Sequence, residues 1–398
     1  MKEILSWCRE RQSAMTAFLS ELVAIESPST DPAGVAALAR RIDAELSPLG
    51  LSGELVPVQG AGPILRARSG TPRAGDLAVP RTAPHAGDLA VPRTPAAAML
   101  LGHLDTVWDL GTLAKRPIRI EGDRFYGPGA YDMKGGIVVM VFALKALAAR
   151  GEIPAVTVFL TPLEEVGCEA YRSIMEADMR LSSAVFDFEP AWPGGAVKTQ
   201  RKGSASLTLR ARGAAAHAGA DFARGANAIL ELSKRLLDAA ALTDLARGIT
   251  VNVGTVRGGT RPNVVPDFAE AEIDVRFRTL ADGQSARAAL ESLRPDDPRV
   301  TLEIDGAGFY PPLERGPHVE AAYRAARDVA SALGLSPLEE VATGGASEAS
   351  FAAAMGIPTL DGLGADGDGA HAVSEHVLLS SLPDRAALAA GLLLARSA

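Results

Sequence analysis

The feature that most constrains the fold is the alternation of short apolar runs with helical segments between residues 96 and 190. The runs AAAMLLGHLD, AVTVFLTPLEE and SAVFDFEP predict three buried strands. The segment GGIVVMVFALKALAAR, which separates the first two runs, predicts a helix. Such strand–helix–strand alternation is typical of an α/β fold in which helices cover the faces of a sheet.

A second pattern begins near Gly203. Over about 100 residues the predicted order of elements is βαββαβ, which is typical of a split-βαβ sandwich. The helical segments HVEAAYRAARDVASALG and DRAALAAGLLLARS follow it and return to the first domain. We therefore predict one domain from residues 1–202 and 309–398, with a second domain, residues 203–308, inserted into it.

One segment fits neither pattern. The sequence AGDLAVPRT occurs at residues 74–82 and again at residues 86–94, and it has no sustained periodicity. Doubling the length of a loop costs only about 0.6 kcal/mol of closure entropy. We expect residues 74–94 to be an exposed, mobile insertion without a catalytic role, and a recognition arm is the alternative.

Charge and composition exclude several classes of partner. The chain of 398 residues has a formal charge of −8 and no basic run of five residues, so neither nucleic acid nor an anionic membrane is an expected partner. The N-terminal 25 residues are interrupted by charges and predict an amphipathic helix, not a signal peptide. Two cysteines cannot form a disulfide framework, and we expect a cytoplasmic protein.

Unusual polar residues follow the predicted strands, at the edge where open α/β sheets bind ligands. His103 and Asp105 share one strand face, so the carboxylate could orient a metal-ligating imidazole, although the pair could also simply cap the strand. Asp132 lies in the glycine-rich turn GPGAYDMKGG. A phosphate loop is the alternative there, but a carboxylate would repel phosphate, and a dication fits better.

Two adjacent glutamates, Glu164 and Glu165, end the second strand. Neighbouring side chains point in different directions, so one glutamate could bind metal while the other acts as a general base. Two solvated glutamates in a loop are the alternative interpretation. Asp187 and Glu189 follow the third strand, and His371 lies in a late glycine-rich loop, with His376 nearby. Taken together, these histidines and carboxylates are typical of a two-metal hydrolase, with zinc as the expected metal and Asp132 as the bridge.

The sequence resembles the M20 metallopeptidases, and most of all their glutamate carboxypeptidase (carboxypeptidase G-type) branch. The resemblance covers nearly the whole chain except the repeated segment. It rests on motifs that occur in the order of the family: GHLDTV, GPGAYDMKGG, TPLEEVG, FEP, HAG, RPNVVPD, DVR and the late glycine-rich loop.

The resemblance implies a catalytic domain of mixed-sheet zinc-peptidase type, a ferredoxin-like inserted domain that serves as lid and dimerisation module, and two zinc ions per chain, with cobalt or manganese possible. Asp132 would bridge the metals, and the other ligands would be His103, Glu165, Glu189 and His371. The catalytic residues would be Glu164 as general base, Asp105 orienting a histidine and His217 stabilising the oxyanion. Asn263 and Arg276 would bind the carboxylate of the substrate.

Two departures from the family pattern concern the substrate. The stretch TGGASEAS has Glu348 where the family often has aspartate, and GAGFYPP lacks an arginine expected in an enzyme that releases only C-terminal glutamate. We expect a homodimeric hydrolase that cleaves an amide bond next to a free carboxylate in a small peptide or N-acyl amino acid. An N-acyl-amino-acid deacylase or a dipeptidase is the alternative within the family. A non-catalytic metal- or carboxylate-binding protein and a phosphate-loop nucleotide enzyme are the alternatives outside it.

Overall fold

A computed structural model of the chain describes residues 1–69 and 97–397. The chain divides into two compact units. Unit 1 comprises residues 1–199, 315–342 and 355–398, as far as they are described, and unit 2 comprises residues 200–314 and 343–354. The repeated segment at residues 74–94 lies outside the described residues.

The helices are numbered in chain order. They are α1 (Lys2–Arg9), α2 (Gln12–Ala24), α3 (Pro32–Leu46), α4 (Thr112–Lys115), α5 (Gly135–Ala148), α6 (Arg172–Arg180), α7 (Ala228–Ala240), α8 (Leu280–Glu291), α9 (Pro317–Leu333), α10 (Ala349–Ala354) and α11 (Ser381–Ser397). Within the described ranges, no helix is both long enough and apolar enough to cross a membrane.

The strands are numbered in the same way. They are β1 (Leu51–Val56), β2 (Ile64–Ser69), β3 (Ala98–His103), β4 (Arg119–Glu121), β5 (Arg124–Tyr126), β6 (Val156–Thr161), β7 (Ala184–Asp187), β8 (Val197–Arg201), β9 (Gly203–Arg212), β10 (Ala216–His217), β11 (Thr250–Gly258), β12 (Val264–Val265), β13 (Phe268–Phe277), β14 (Thr301–Tyr310), β15 (Glu340–Thr343), β16 (Thr359–Leu360), β17 (Gly367–Asp368) and β18 (His376–Leu378).

Unit 1 contains a six-stranded mixed sheet with the strand order β1-β2-β6-β3-β7-β16. The pairs β1/β2 and β2/β6 are antiparallel, whereas β6/β3, β3/β7 and β7/β16 are parallel. Ala98 of β3 aligns with Val156 of β6 and with Ala184 of β7, so the C-terminal ends of these three strands reach the same edge. The α/β class and the mixed sheet predicted from the sequence are confirmed.

The core of unit 1 forms around strands that are buried along their whole length. All six residues of β3 and all six of β6 are buried. Helix α5 is buried on every side except at Lys145 and Ala148, as its continuous apolar sequence requires, and it contacts α11, α1 and α2. Packing in the core therefore fixes the position of this helix, and with it the end of the turn that precedes Gly135.

The N-terminal amphipathic segment forms two helices instead of one. Arg11 adopts φ −111° and ψ 14°, outside the helical range, and separates α1 from α2. Its guanidinium donates to the carbonyl oxygen of Trp7 at 3.1 Å, which satisfies one of the acceptors that the end of a helix leaves open. The sequence periodicity continues through this break because both helices bury one apolar face.

Unit 2 contains a four-stranded antiparallel sheet with the order β11-β13-β9-β14. Its main elements follow along the chain as β9, α7, β11, β13, α8 and β14, and the short strands β10 and β12 pair with each other beside them. Helices α7 and α8 both contact β9 and β13. Residues 343–354 pack with this unit, since Lys202 N donates to Thr343 O at 3.1 Å and Arg201 Nη1 donates to Ala346 O at 3.1 Å.

The start of α5 lies very close to the chain that follows β7. A Cβ atom on Gly136 would lie 1.9 Å from the carbonyl oxygen of Phe188, and one on Gly364 would lie 2.3 Å from the same oxygen. The backbone before Glu189 is therefore enclosed by two glycines, and neither position has room for a side chain.

We expect Gly136→Ala to destabilise the protein by about 1–3 kcal/mol or more, because the added methyl group must displace a backbone carbonyl. Gly344→Ala is the matched control, since a Cβ atom there would meet nothing within 4 Å. Denaturant unfolding of both variants measures the difference. Equal unfolding midpoints would show that the approach of α5 to Phe188 is not constrained as described.

Candidate metal centre

Three neighbouring parallel strands deliver the acidic and imidazole side chains to one edge of the sheet. His103 is the last residue of β3, Glu164 and Glu165 follow β6, and Glu189 follows β7. Because these strands are in register, the residues after them converge at their C-terminal ends. The side chains predicted at separate strand ends therefore belong to one cluster.

His103 is held between an orienting group and two carboxylates. Its Nδ1 lies 2.9 Å from the backbone oxygen of Asp105 and 3.5 Å from Oδ1 of the same residue. Its Nε2 lies 3.1 Å from Asp132 Oδ1 and 3.4 Å from Glu189 Oε1. Burial alone would lower the pKa of His103, but the bonds to Asp105, Asp132 and Glu189 raise it well above the ordinary value. This environment therefore favours positive charge at Nε2.

Asp132 presents one oxygen to each of two histidines. Oδ1 faces His103, and Oδ2 lies 3.3 Å from Nε2 of His371. Burial would raise the pKa of Asp132, but the contacts with both histidines hold it well below its ordinary value, so the carboxylate is charged. The two oxygens of this carboxylate therefore face two different histidines, as a bridging ligand would require.

His371 and Glu165 complete the far side of the cluster. Nε2 of His371 lies 3.1 Å from Oε2 of Glu165, and the contacts with Asp132 and Glu165 raise the pKa of the histidine to about 10. Burial, together with the charge of Asp132, raises the pKa of Glu165. Oε1 of Glu165 is buried, and no other described residue hydrogen-bonds to it.

This buried oxygen provides a test of whether the cluster fits divalent metal. An unpaired buried carboxylate oxygen is costly, and a metal ion bound there would satisfy it. Imidazole nitrogens and carboxylate oxygens are the ligands that zinc prefers. Atoms of His103, Asp132 and Glu165 lie within 4.8 Å of one another, as do atoms of His103, Glu164 and Glu189. The residues present therefore fit a metal centre.

The two adjacent glutamates point to different parts of the cluster. Glu165 faces His371, whereas a carboxylate oxygen of Glu164 lies near His103 and Glu189. Glu164, like Glu165, is only partly buried. This divergence is what the sequence predicted for a ligand next to a proton-transferring group, and it places the two carboxylates so that they do not compete for one position.

Asp105 organises the cluster more extensively than the HxD pattern indicated. Its Oδ1 accepts the backbone N–H of Glu164 at 3.0 Å, and its Oδ2 accepts that of Glu165 at 3.3 Å. The hydroxyl of Ser29 donates to Oδ2 at 2.6 Å. Asp105 thus holds the ring of His103 chiefly through its backbone oxygen, and its carboxylate holds the backbone of both glutamates.

Sequence reasoning missed Glu375, which lies between the two histidines that it singled out in the late loop. Glu375 is fully buried, and its carboxylate accepts the backbone N–H groups of Gly129, Tyr131 and Asp132. An acidic residue in a polar loop normally lies in solvent, so no local pattern marked this one. The backbone donors that a phosphate loop would offer are occupied by Glu375, which argues against the nucleotide alternative.

Lys198 is a second residue that the sequence did not mark. It is buried, and its Nζ lies 3.9 Å from Oε2 of the predicted ligand Glu189. A lysine inside a strand gives no pattern that distinguishes it from a surface residue. The neighbouring candidates lie outside the ligand set: Asp187 Oδ1 accepts the N–H of Glu189 at 3.4 Å, and the ring of His376 packs against Tyr126.

The remaining predicted residues lie in unit 2. His217 is exposed and pairs with Val264 through β10 and β12, and Ala218 N donates to the oxygen of Asn263 at 3.0 Å, so His217 and Asn263 are neighbours. Arg276 lies near the other end of β13, where Nε donates to both oxygens of Asp274 at 2.9 and 3.1 Å. Glu348, at the start of α10, is buried.

His217 has a defined tautomer. Its Nδ1 accepts the backbone N–H groups of Gly219 and Ala220, each at 3.1 Å. In the neutral imidazole the proton must then be on Nε2, because one ring nitrogen accepts and the other donates. In the neutral ring, Nε2 of His217 is therefore a hydrogen-bond donor.

Comparison with known proteins identifies the family of the chain. Residues 99–395 match the model of peptidase family M20/M25/M40. Carboxypeptidase G2 from Pseudomonas sp. (strain RS-16) is 30% identical over 395 residues, covering 97% of this chain and 90% of the relative. Succinyl-diaminopimelate desuccinylase from Granulibacter bethesdensis is 30% identical over 278 residues, covering 63% of this chain and 70% of the relative.

Solved structures share the fold at lower sequence identity. Aminopeptidase PepT from Bacillus cereus superimposes with a TM-score of 0.75 at 19% identity, covering 97% of this chain and 99% of that structure. The metallo-carboxypeptidase Sso-CP2 from Sulfolobus solfataricus superimposes with a TM-score of 0.69 at 17% identity, covering 95% and 98%. At these identities the likeness shows the fold alone.

We expect protein purified without chelator to contain about two divalent metal ions per chain, because Asp132 has an oxygen for each of two histidine-containing groups. Chelation should lower the melting temperature, since a metal that binds only the folded state stabilises it. Elemental analysis and thermal unfolding with and without chelator measure both effects. A metal content near zero in active protein, with activity unchanged in chelator, would contradict the assignment.

Proposed function

Because the chain belongs to peptidase family M20/M25/M40, we propose that it is a carboxypeptidase G-like hydrolase with two zinc ions, which releases C-terminal glutamate or a related amino acid from a peptide or N-acyl conjugate. The observation that carries the proposal is Asp132, whose two oxygens face His103 and His371 with Glu164 beside them. His103, Asp132, Glu165, Glu189 and His371 would hold the metals, and cobalt or manganese would suit the same ligands.

The substrate class rests on the relatives. Carboxypeptidase G2 aligns over almost the whole chain, and the desuccinylase aligns over 63% of it. Both names describe hydrolysis of a bond beside a carboxylate-bearing group, and this enzyme shares that general reaction. An N-acyl-amino-acid deacylase or a dipeptidase remains the alternative. The missing arginine near Gly308 and the presence of Glu348 bear on this choice of substrate and not on the metal chemistry.

The residues of the cluster divide the work of hydrolysis between them. Bound metal ions would polarise the scissile carbonyl and lower the pKa of water. Glu164 accepts the proton of the attacking water and returns it to the leaving amine, which requires a carboxylate within reach of the ligands but not committed to them. Asp105 holds the Glu164 backbone and His103 in fixed relation, so that the base does not drift.

His217 is suited to stabilise the oxyanion of the tetrahedral intermediate. The backbone bonds to its Nδ1 leave Nε2–H as a donor, and an oxyanion needs a donor. Because Nδ1 is already occupied, the ring is also held in orientation before substrate arrives. The neutral imidazole is therefore sufficient for the proposed role.

Asn263 and Arg276 are proposed to hold the carboxylate of the substrate, but the two residues lie far apart within one copy of unit 2. Asn263 lies beside His217, near the end of β13 where Phe268 pairs with Arg212, and Arg276 pairs with Ser204 at the other end. Eight residues of strand span about 27 Å. One substrate could contact both residues only if they came from two copies of the chain.

We infer a homodimer joined through unit 2, in which His217 and Asn263 of one copy serve the metal centre of the other. Exposed apolar side chains on this unit support an interface: Leu230 is 58% exposed, Leu237 74% and Val256 59%. The two leucines lie seven residues apart on α7, hence on one face, and Val256 lies on the edge strand β11.

The family and its relatives are enzymes, which argues against a non-catalytic binding protein. Both cysteines are buried and the described chain contains no disulfide, so we keep the proposal of a reducing, cytoplasmic location. Neither nucleic acid nor membrane is a proposed partner.

Glu164→Gln should abolish turnover and leave metal content nearly unchanged, because glutamine keeps the shape but cannot accept the proton. Glu165→Gln is the matched variant, and it should lower metal occupancy, since its carboxylate faces His371 and Asp132. Elemental analysis and turnover on a panel of N-acyl amino acids and peptides separate the two phenotypes. The reverse outcome would exchange the roles of the neighbouring glutamates.

The dimer proposal predicts complementation between inactive subunits. Loss of His217 as an oxyanion donor should lower kcat about 10²–10³-fold. If His217→Ala and Glu164→Gln subunits are unfolded and reassembled together, random pairing makes about half the dimers mixed, and activity should return to roughly a quarter of the wild-type value. If His217 acts on the centre of its own chain, mixing restores nothing. A monomeric protein in solution also contradicts the arrangement.

A further inference from the structure

The carboxylate of Glu375 collects four hydrogen bonds although it is completely buried. Oε1 accepts the N–H groups of Tyr131 at 2.9 Å and of Asp132 at 3.1 Å. Oε2 accepts the N–H of Gly129 at 2.9 Å and the indole N–H of Trp108 at 2.7 Å. A carboxylate is the only side chain of this size with acceptor positions for four donors.

Three of these donors belong to the turn that carries the bridging aspartate. Gly129 is left-handed, with φ 68°, and Asp132 has φ −113° and ψ 97°, so the turn does not continue the helix that follows it. The N–H groups of Tyr131 and Asp132 consequently cannot be satisfied by helical bonding. Glu375 supplies their acceptors from outside the turn.

Glu375 also joins three segments of the metal centre. It lies four residues after His371, it binds the turn of Asp132, and through Trp108 it binds the loop that follows His103 and Asp105. Arg116 connects the same two segments again. Its guanidinium lies over the ring of Trp108 at 4.3 Å and donates to the oxygen of Val373 at 2.7 Å. One side chain thus connects the segments of both histidine ligands with the bridging carboxylate.

We propose that Glu375 is a positioning residue for the metal centre, which fixes the backbone of Asp132 so that its two carboxylate oxygens keep their directions toward His103 and His371. The inference rests on the proposed metal function. Partners that orient metal ligands typically contribute 10–100-fold to metal affinity or activity. Replacing Glu375 should therefore weaken metal binding, above all the binding of the second ion. It should have a smaller effect on the stability of the metal-free fold.

Glu375→Gln is a sharp test because each carboxylate oxygen accepts from two donors. An amide group must direct its NH2 toward one of these pairs, whichever way it is turned, so two hydrogen bonds become donor–donor contacts. Glu26→Gln is the matched control. Glu26 accepts the backbone N–H groups of Gly111 at 2.9 Å and Leu113 at 2.8 Å, so it anchors the same neighbouring loop without a hydrogen bond to the turn of Asp132.

The experiment compares the wild type with both variants in three measurements. Competition with a chromophoric chelator gives the metal dissociation constants, the visible absorption of the Co²⁺ form reports ligand geometry, and thermal unfolding in chelator reports the metal-free fold. We expect Glu375→Gln to weaken metal binding about 10–100-fold and to change the Co²⁺ spectrum. Glu26→Gln should change neither the metal affinity nor the Co²⁺ spectrum. It should lower the melting temperature of the metal-free protein about as much as Glu375→Gln does.

Two further variants keep the test informative if Glu375→Gln does not fold. Trp108→Phe removes one donor and leaves all three backbone bonds, so it should lose less metal affinity than Glu375→Asp. Glu375→Asp keeps the charge but shortens the side chain, so it should lose affinity. Wild-type affinity in Glu375→Asp or Glu375→Gln, or equal losses in Glu26→Gln, would overturn the positioning role. A wild-type protein that binds no metal would instead overturn the proposed function itself.

Discussion

Like-charged groups held together in a buried cluster are the interaction on which the rest of the structure depends. Asp132, Glu165 and Glu189 converge on the nitrogens of His103 and His371, and such an arrangement is unfavourable unless positive charge lies among the carboxylates. The raised pKa values of both histidines express this demand. Divalent metal would meet it more completely, because one oxygen of Glu165 is buried without a hydrogen bond among the described residues.

Hydrogen bonds to the backbone hold these crowded carboxylates in place. The parallel strands β3, β6 and β7 bring their ends to one edge, and two buried carboxylates that do not touch the proposed metals hold the loops beyond them. Asp105 binds the backbone of Glu164 and Glu165, and Glu375 binds that of Asp132. Hydrogen bonds from backbone N–H groups to a buried charge are strong, so the loops that carry Asp132, Glu164 and Glu165 are held before metal binds. Glycines then allow the elements to approach closely, as at the carbonyl of Phe188.

Much of the centre was predictable because strand ends and loops carry their chemistry locally. His103, Asp132 and His371 each lie at the end of a recognisable element or next to one. The resemblance to the M20 family then assigned a role to each of them. Glu375 could not be predicted, because its importance comes from hydrogen bonds to residues more than 240 positions earlier in the chain. Lys198 escaped notice for the same reason, since its contact with Glu189 depends on tertiary packing alone.

In the proposed centre the carboxylate of Asp132 would bridge two metal ions. A crystal structure of the metal-loaded protein, with anomalous scattering recorded on both sides of the zinc absorption edge, tests it directly. The account predicts two anomalous peaks, one on each side of the Asp132 carboxylate, the first beside His103 and Glu189 and the second beside His371 and Glu165. A single peak, or two peaks that share no oxygen of Asp132, would contradict it.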